Sequence, residues 1–87
     1  MELGRVRGSV WCTKKSNDLS GCKLLLVEPW DPLGEPAGKL RVCADVIGAG
    51  VGERVVVSTG TAARKAIGQP DCPIDAAVVA IVDGYET

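Results

Sequence analysis

Side chains from Leu3 to Thr13 alternate, with Val6, Gly8, Val10 and Cys12 on one side and Arg5, Arg7, Ser9 and Trp11 on the other. A period of two is the signature of a half-buried strand. The run Lys23-Leu24-Leu25-Leu26-Val27-Glu28 is instead continuously apolar between turn formers, which predicts a strand covered on both faces, half of that cover coming from another subunit. Alternation returns from Lys39 to Val46, where Leu40, Val42, Ala44 and Val46 are set against Lys39, Arg41, Cys43 and Asp45. Two β-branched runs, from about Glu53 to Ser58 and from Ala76 to Val82, predict a fourth and a fifth strand.

The connections are as telling. Lys14 to Gly21 is polar and rich in turn formers, an exposed loop in which Lys14 and Lys15 are solvated charges or an anion contact. Pro29 to Gly38 holds three prolines and two glycines, which exclude a continued ladder and predict a surface connection with Trp30 against the body. Ser58-Thr59-Gly60-Thr61 offers capping hydroxyls before a short helix, Ala62 to Ile67, closed by Gly68 and Pro70. Five short strands, one helix between strands 4 and 5, and no internal repeat predict an all-β fold, a small five-stranded OB-like β-barrel.

Between strands 3 and 4 lies the densest glycine stretch, Gly48-Ala49-Gly50-Val51-Gly52. Gly48 and Gly50 match the opening of a dinucleotide cradle, which needs a helix next so that its N-terminus faces the pyrophosphate. The following residues are Glu53, Arg54, Val55, Val56 and Val57. They read as strand, and a carboxylate stands where the third glycine belongs. A phosphate-binding P-loop fails as well, because Arg64 and Lys65 follow Gly60 at the wrong offsets.

Composition narrows the chemistry further. With 87 residues, 46% apolar and without Phe, the chain is one small unit whose core must be built from Val, Leu, Ile and Ala, and oligomerisation would help it. Ten basic and eleven acidic residues leave a net charge of −1, so nothing draws the whole molecule to nucleic acid or anionic lipid. The apolar runs are too short to span a membrane, and Met1 to Arg5 lacks the apolar core of a signal peptide, so a cytosolic chain is expected.

The absence of His removes the usual nucleophile pairs and the commonest general base, so no catalytic residue is expected. Cys12, Cys22, Cys43 and Cys72 form no Cys-x-x-Cys pair. Buried thiols are expected of them, with no metal or cofactor site. Asp71 and Asp75 sit in a proline-bounded turn, where bonding to local backbone is a better account than paired acid-base work. Arg5, Arg7 and Trp11 on the outer side of the first strand suit a subunit interface, where Trp and Arg are enriched. The alternative is a single-strand nucleic-acid platform of the OB type, for which aromatics are scarce here. A small-molecule or metal-binding regulator is a third class, disfavoured by the missing His.

Three groups of residues together resemble the EutN/CcmL family of bacterial microcompartment vertex proteins. They are Gly8 to Lys15 with Leu19-x-Gly21-x-Lys23-Leu24-Leu25-Leu26-Val27, then Ala44 through Val57, then Ser58-x-Gly60-x-Ala62-Ala63-Arg64 with Pro73 through Asp83. The resemblance spans nearly all of residues 1–87 and implies one vertex domain. It also implies a homopentamer of OB-like barrels that caps the fivefold vertices of a protein shell in the bacterial cytoplasm, beside hexameric shell proteins, with no catalysis. Five copies bringing Gly48, Ala49 and Gly50 toward one axis, where they would line a narrow pore, would account for the glycines, since bulkier groups collide where backbones crowd. Arg64 reads either as a subunit contact pairing Asp75 or Asp83, or as a solvated helix face. Family members often carry a further tail after the Asp83 motif, which leaves a final strand or tail-mediated contact open here.

Overall fold

The alternating segments close on one another. The computed structural model describes residues 1–12, 22–68 and 72–84. In it β1 (Glu2–Val10), β2 (Leu24–Trp30), β3 (Arg41–Asp45), β4 (Arg54–Thr59) and β5 (Ala76–Ile81) form a closed barrel in the order β1-β2-β3-β5-β4, with α1 (Gly60–Ile67) between β4 and β5. This is the expected OB-like barrel. Neighbouring strands are antiparallel except β3 and β5, which pair in parallel. A parallel pair needs a crossover, here supplied by β4 and α1. Lys14, Lys15 and the rest of the polar loop through Gly21, as well as Asp71, lie outside the described residues.

The interior is filled by Val6, Leu25, Val27, Cys43, Ala49, Val55, Val57, Ala76 and Val78. A narrow five-stranded barrel has room for side chains of that size and little more. Gly4 marks the tightest approach: a Cβ there would lie 2.6 Å from Val27 Cγ1 and 2.8 Å from the Glu28 carbonyl oxygen. Any side chain at position 4 would therefore push β1 off β2.

Three expectations about faces and boundaries are corrected. β1 does not alternate regularly to its end, because Val6 pairs with Val27 while Gly8 pairs with Leu26. Arg7 is thus the extra residue of a β-bulge, and the slip moves Val10 to the face opposite Val6. β2 continues through Pro29 to Trp30, opposite Gly4 and Leu3. Proline is tolerated because β3 pairs only with Leu24 to Val27, and the Pro29 carbonyl turns away from β1 to accept the Ala37 N–H at 2.8 Å. Along and beside β3 most of the apolar alternating set is exposed: Leu40, Val42 and Val46 are 51%, 44% and 40% exposed, whereas Ala44 of that set is buried and Cys43 of the other set is fully buried.

α1 begins at Gly60, two residues earlier than the propensities of Ala62 to Ile67 suggest. Its N-cap, Thr59, makes no side-chain capping bond. Instead the Gly60 N–H donates to the Asp75 carbonyl at 2.8 Å, and the Ser58 hydroxyl is buried without a partner. Gly68 closes the helix in the left-handed region at φ 83°, its N–H donating to the carbonyls of Arg64 and Lys65.

Candidate assembly site

The glycine loop is built around one carboxylate. At the end of β3, Asp45 Oδ1 accepts the N–H groups of Ile47 at 3.1 Å, Gly48 at 3.0 Å and Ala49 at 3.3 Å. Asp is the residue type that turns a chain in this way, its short side chain reaching backbone two to four residues on. The Asp45 side chain is fully buried, and its other oxygen lies 3.5 Å from Lys23 Nζ. On the far side of the loop, Glu53 Oε1 accepts the Gly50 N–H at 2.6 Å. Gly52 donates to the Val6 carbonyl and Val6 to the Glu53 carbonyl, at 2.8 and 3.0 Å, which ties the loop to β1.

Backbone conformation accounts for two of the glycines without any neighbour. Gly48 and Gly52 have φ of 81° and 89°, a region that side chains disfavour. Ala49 points into the core at 1% exposure, so of the residues assigned to a pore only Gly48 and Gly50 present themselves to solvent. By sequence pattern Asp45 falls on the polar side of the third strand and Glu53 stands against a phosphate ligand, and neither is given a part in holding the loop. Their signal was a carboxylate at each border of the loop.

Arg5, Arg7 and Trp11 do not form one cluster. The Arg5 guanidinium lies over the Trp30 ring at 4.5 Å from its centroid, and the Trp30 indole N–H donates to Glu28 Oε1 at 3.0 Å. Arg7 is exposed, and Trp11 is 92% exposed beyond the end of β1. At ~3.3 Å per residue, Trp11 is about 20 Å along the chain from Arg5. A continuous stacking platform is therefore not what β1 presents. Trp30 is held against the body as expected, by a residue of β1 that the sequence did not point to.

Arg64 and Asp75 also stand apart. Arg64 is half-buried and lines a groove of about 430 Å³ with Thr61, Lys65 and Gly68, whereas exposed Asp75 lines one of about 300 Å³ with Glu2, Arg41, Val42, Thr59 and Ala76. The ion pairs among the described residues are Lys23 with Asp45 and Arg41 with Glu2. Asp83 is engaged through its carbonyl, which accepts from Arg54 Nη2 at 3.1 Å. Among the described residues no group of three or more Cys, Asp or Glu is placed to hold a metal.

Of the thiols, Cys43 and Cys72 are buried as expected, but Cys12 is exposed and Cys22 half-buried. Desolvation pushes the Cys43 thiol up to about 11, with Arg41 acting in the opposite sense.

Among the described residues the surface also carries an apolar feature. Leu40, Val42 and Val46 stand outward along and beside β3, with Ile47 next to them, and bridged Glu2 and Arg41 lie at the border. An apolar stripe with a charged edge is how a subunit contact looks on a lone protomer. A small closed barrel of this kind, with a stiff glycine loop and an uncovered apolar strand face, is an assembly unit.

Comparison with known proteins supplies the family. The profile described as "Ethanolamine utilisation protein EutN/carboxysome" matches residues 1–83, and the chain belongs to this EutN/CcmL family. It is 48% identical over 83 residues to the carboxysome shell vertex protein CcmL of Synechocystis sp., covering 95% of this chain and 83% of that one. It is also 48% identical over 87 residues to the bacterial microcompartment shell vertex protein GrpN of Rhodospirillum rubrum, covering 100% and 98% of the two chains. The solved structure described as the GrpN pentameric microcompartment shell protein superposes with a TM-score of 0.89, at 47% identity over 100% of this chain and 99% of that one.

Proposed function

We propose that residues 1–87 act as one structural vertex domain, five copies of which form a ring that caps the fivefold corners of a microcompartment shell in the bacterial cytoplasm. It catalyses nothing; its work is curvature. Hexagonal tiles alone make a flat sheet, and a closed shell needs fivefold units among hexameric neighbours. A ring closes when one heterologous contact repeats through the correct rotation.

The observation that carries this reading is the outward apolar face of β3, in a chain whose relatives are shell vertex proteins. A strand face of this composition is the mark of a surface that a neighbour covers. In the ring, Gly48 and Gly50 line a narrow axial pore with exposed backbone, and inward-pointing Ala49 anchors the loop between them. Arg5, Arg7, Trp11, Arg64 and Asp75 are further contact residues. Arg64 and Asp75 line separate grooves of one protomer, so an Arg64–Asp75 pair joins neighbouring copies.

Light scattering across a dilution series tests ring formation. The expected mass is five times the 9.0 kDa protomer and holds down to low micromolar concentration. A stable lone protomer, or a dimer as the end state, refutes the reading.

A further inference from the structure

The loop end of the β1–β2 hairpin carries two cysteines, Cys12 and Cys22. Past the bulge, the strands pair Gly8 with Leu26, Ser9 with Leu25 and Val10 with Leu24. The ladder ends there, and the same register continued by two positions would set Cys12 opposite Cys22. Residues two apart along an extended chain share a face, so both side chains leave the hairpin on the side of Val10 and Leu24. Both cysteines line one groove of about 330 Å³, together with Ser9, Val10, Trp11, Lys23 and Leu24.

The backbone sets their spacing. The Lys23 carbonyl turns to β3, where it accepts the Asp45 N–H at 2.8 Å, so position 22 turns its own backbone toward β1. The assigned pairing ends at Val10 and Leu24; carried on to positions 12 and 22 it would hold the Cα atoms ~5.5 Å apart, inside the ~4.4–6.8 Å that a disulfide spans. Exposure singles the pair out: Cys12 is exposed and Cys22 half-buried, whereas Cys43 and Cys72 are buried. An oxidant in solution therefore meets the hairpin pair first.

We propose that Cys12 and Cys22 are a peroxide-sensitive dithiol that closes into a cross-strand disulfide and locks the end of the hairpin. The Cys12 thiolate attacks one oxygen of hydrogen peroxide, forming an S–O bond as the O–O bond breaks, and the leaving hydroxide takes a proton to become water. The Cys22 thiolate then attacks the Cys12 sulfur of the sulfenic acid, forming the S–S bond and breaking the S–O bond. The second hydroxide leaves as water in the same way. Two thiols are oxidised, one peroxide is reduced, and the new bond ties together chain ends separated by residues 13–21. A tie of this kind stabilises by narrowing the unfolded ensemble. The inference rests on hairpin register and holds whether or not the ring forms.

The test takes the reduced, full-length protein, adds a small excess of hydrogen peroxide, blocks remaining thiols and reads intact mass, peptide map and melting temperature. The expected result is a chain that takes up two fewer blocking groups than the reduced protein, with a peptide joining Cys12 to Cys22. Cys12→Ser and Cys22→Ser each abolish that species. Oxidised wild-type protein is expected to melt about 5 °C higher, reversibly on reduction. The proposal fails if the joined peptide is absent, if sulfur oxidation stops at Cys12 without a bond to Cys22, or if linkage forms only between chains on a non-reducing gel.

Discussion

Two stretches meet at Asp45 and differ in where their partners come from. The glycine loop after it gives every sign of needing an outside partner, yet it is satisfied from within. Asp45 takes three of its N–H groups, Glu53 takes a fourth, and β1 holds its far end. The strand before it has the alternation of a half-buried wall, yet Leu40 and Val42, with Val46 just beyond, are about half exposed, while Ala44 and Cys43 are buried. Rigidity is supplied by the loop's own chain, and the missing cover is on the strand. The protomer thus brings a preformed loop to a contact that only a neighbour completes.

Breaking the strand side is expected to have the largest effect. Val42→Asp places a charge on the outward stripe and is expected to reduce the solution mass from five protomers to one, while circular dichroism keeps its strand signature. Charges at the centre of an apolar contact are costly to desolvate. A variant that stays pentameric would move the contact away from β3.

On the loop side, Asp45→Ala leaves three backbone donors without their acceptor and removes the partner of Lys23. We expect a loss of about 2 kcal/mol in urea unfolding. Fast amide exchange is expected at Gly48 and Ala49 while the interior strands stay protected. Asp45→Asn keeps an acceptor oxygen and is expected to lose about 1 kcal/mol, because the Lys23 ion pair is exposed on one side and worth little. Equal losses for the two variants would mean that charge, not the acceptor, holds the loop.

Gly48→Ala separates strain from crowding. A Cβ at Gly48 meets nothing within 4 Å in the protomer, so only the positive φ opposes it, a cost of about 1 kcal/mol. That figure should appear in unfolding of the protomer. Any larger effect on ring formation measures what lies beside Gly48 across the axis.

The mildest test concerns the strand's inward side. The folded Cys43 thiol is held neutral to about 11, above the ordinary 9.0. Below pH 9 its contribution to stability is fully present. It is lost as pH rises from 9 toward 11, because the unfolded chain gives up that proton first. Cys43→Ala is expected to flatten the alkaline part of the stability profile relative to wild type. An unchanged slope would show that other groups set it.

Much of this architecture was legible in the residues. The five strand runs, the helix stop at Gly68 and the rejection of a nucleotide cradle before Arg54 all follow from local periodicity and backbone chemistry. What was not legible depends on pairing between segments. The bulge at Arg7 is a register slip that alternation does not encode, and it reverses the face of Val10. Which side of β3 faces inward was hidden because Cys43 passes for polar in the pattern, while an assembly's contact face is as apolar as a core. The partnership of Arg5 with Trp30 joins β1 to the end of β2, and Cys12 and Cys22 come to line one groove only once the hairpin has closed.

A reconstruction of the assembled particle by electron cryomicroscopy tests the central claim most directly. The account predicts a fivefold disc with the Gly48–Gly50 backbone around the axis and the Leu40, Val42 and Val46 stripe covered by the adjacent copy. A disc that carries this loop on its outer rim, or leaves the stripe in solvent, would contradict it.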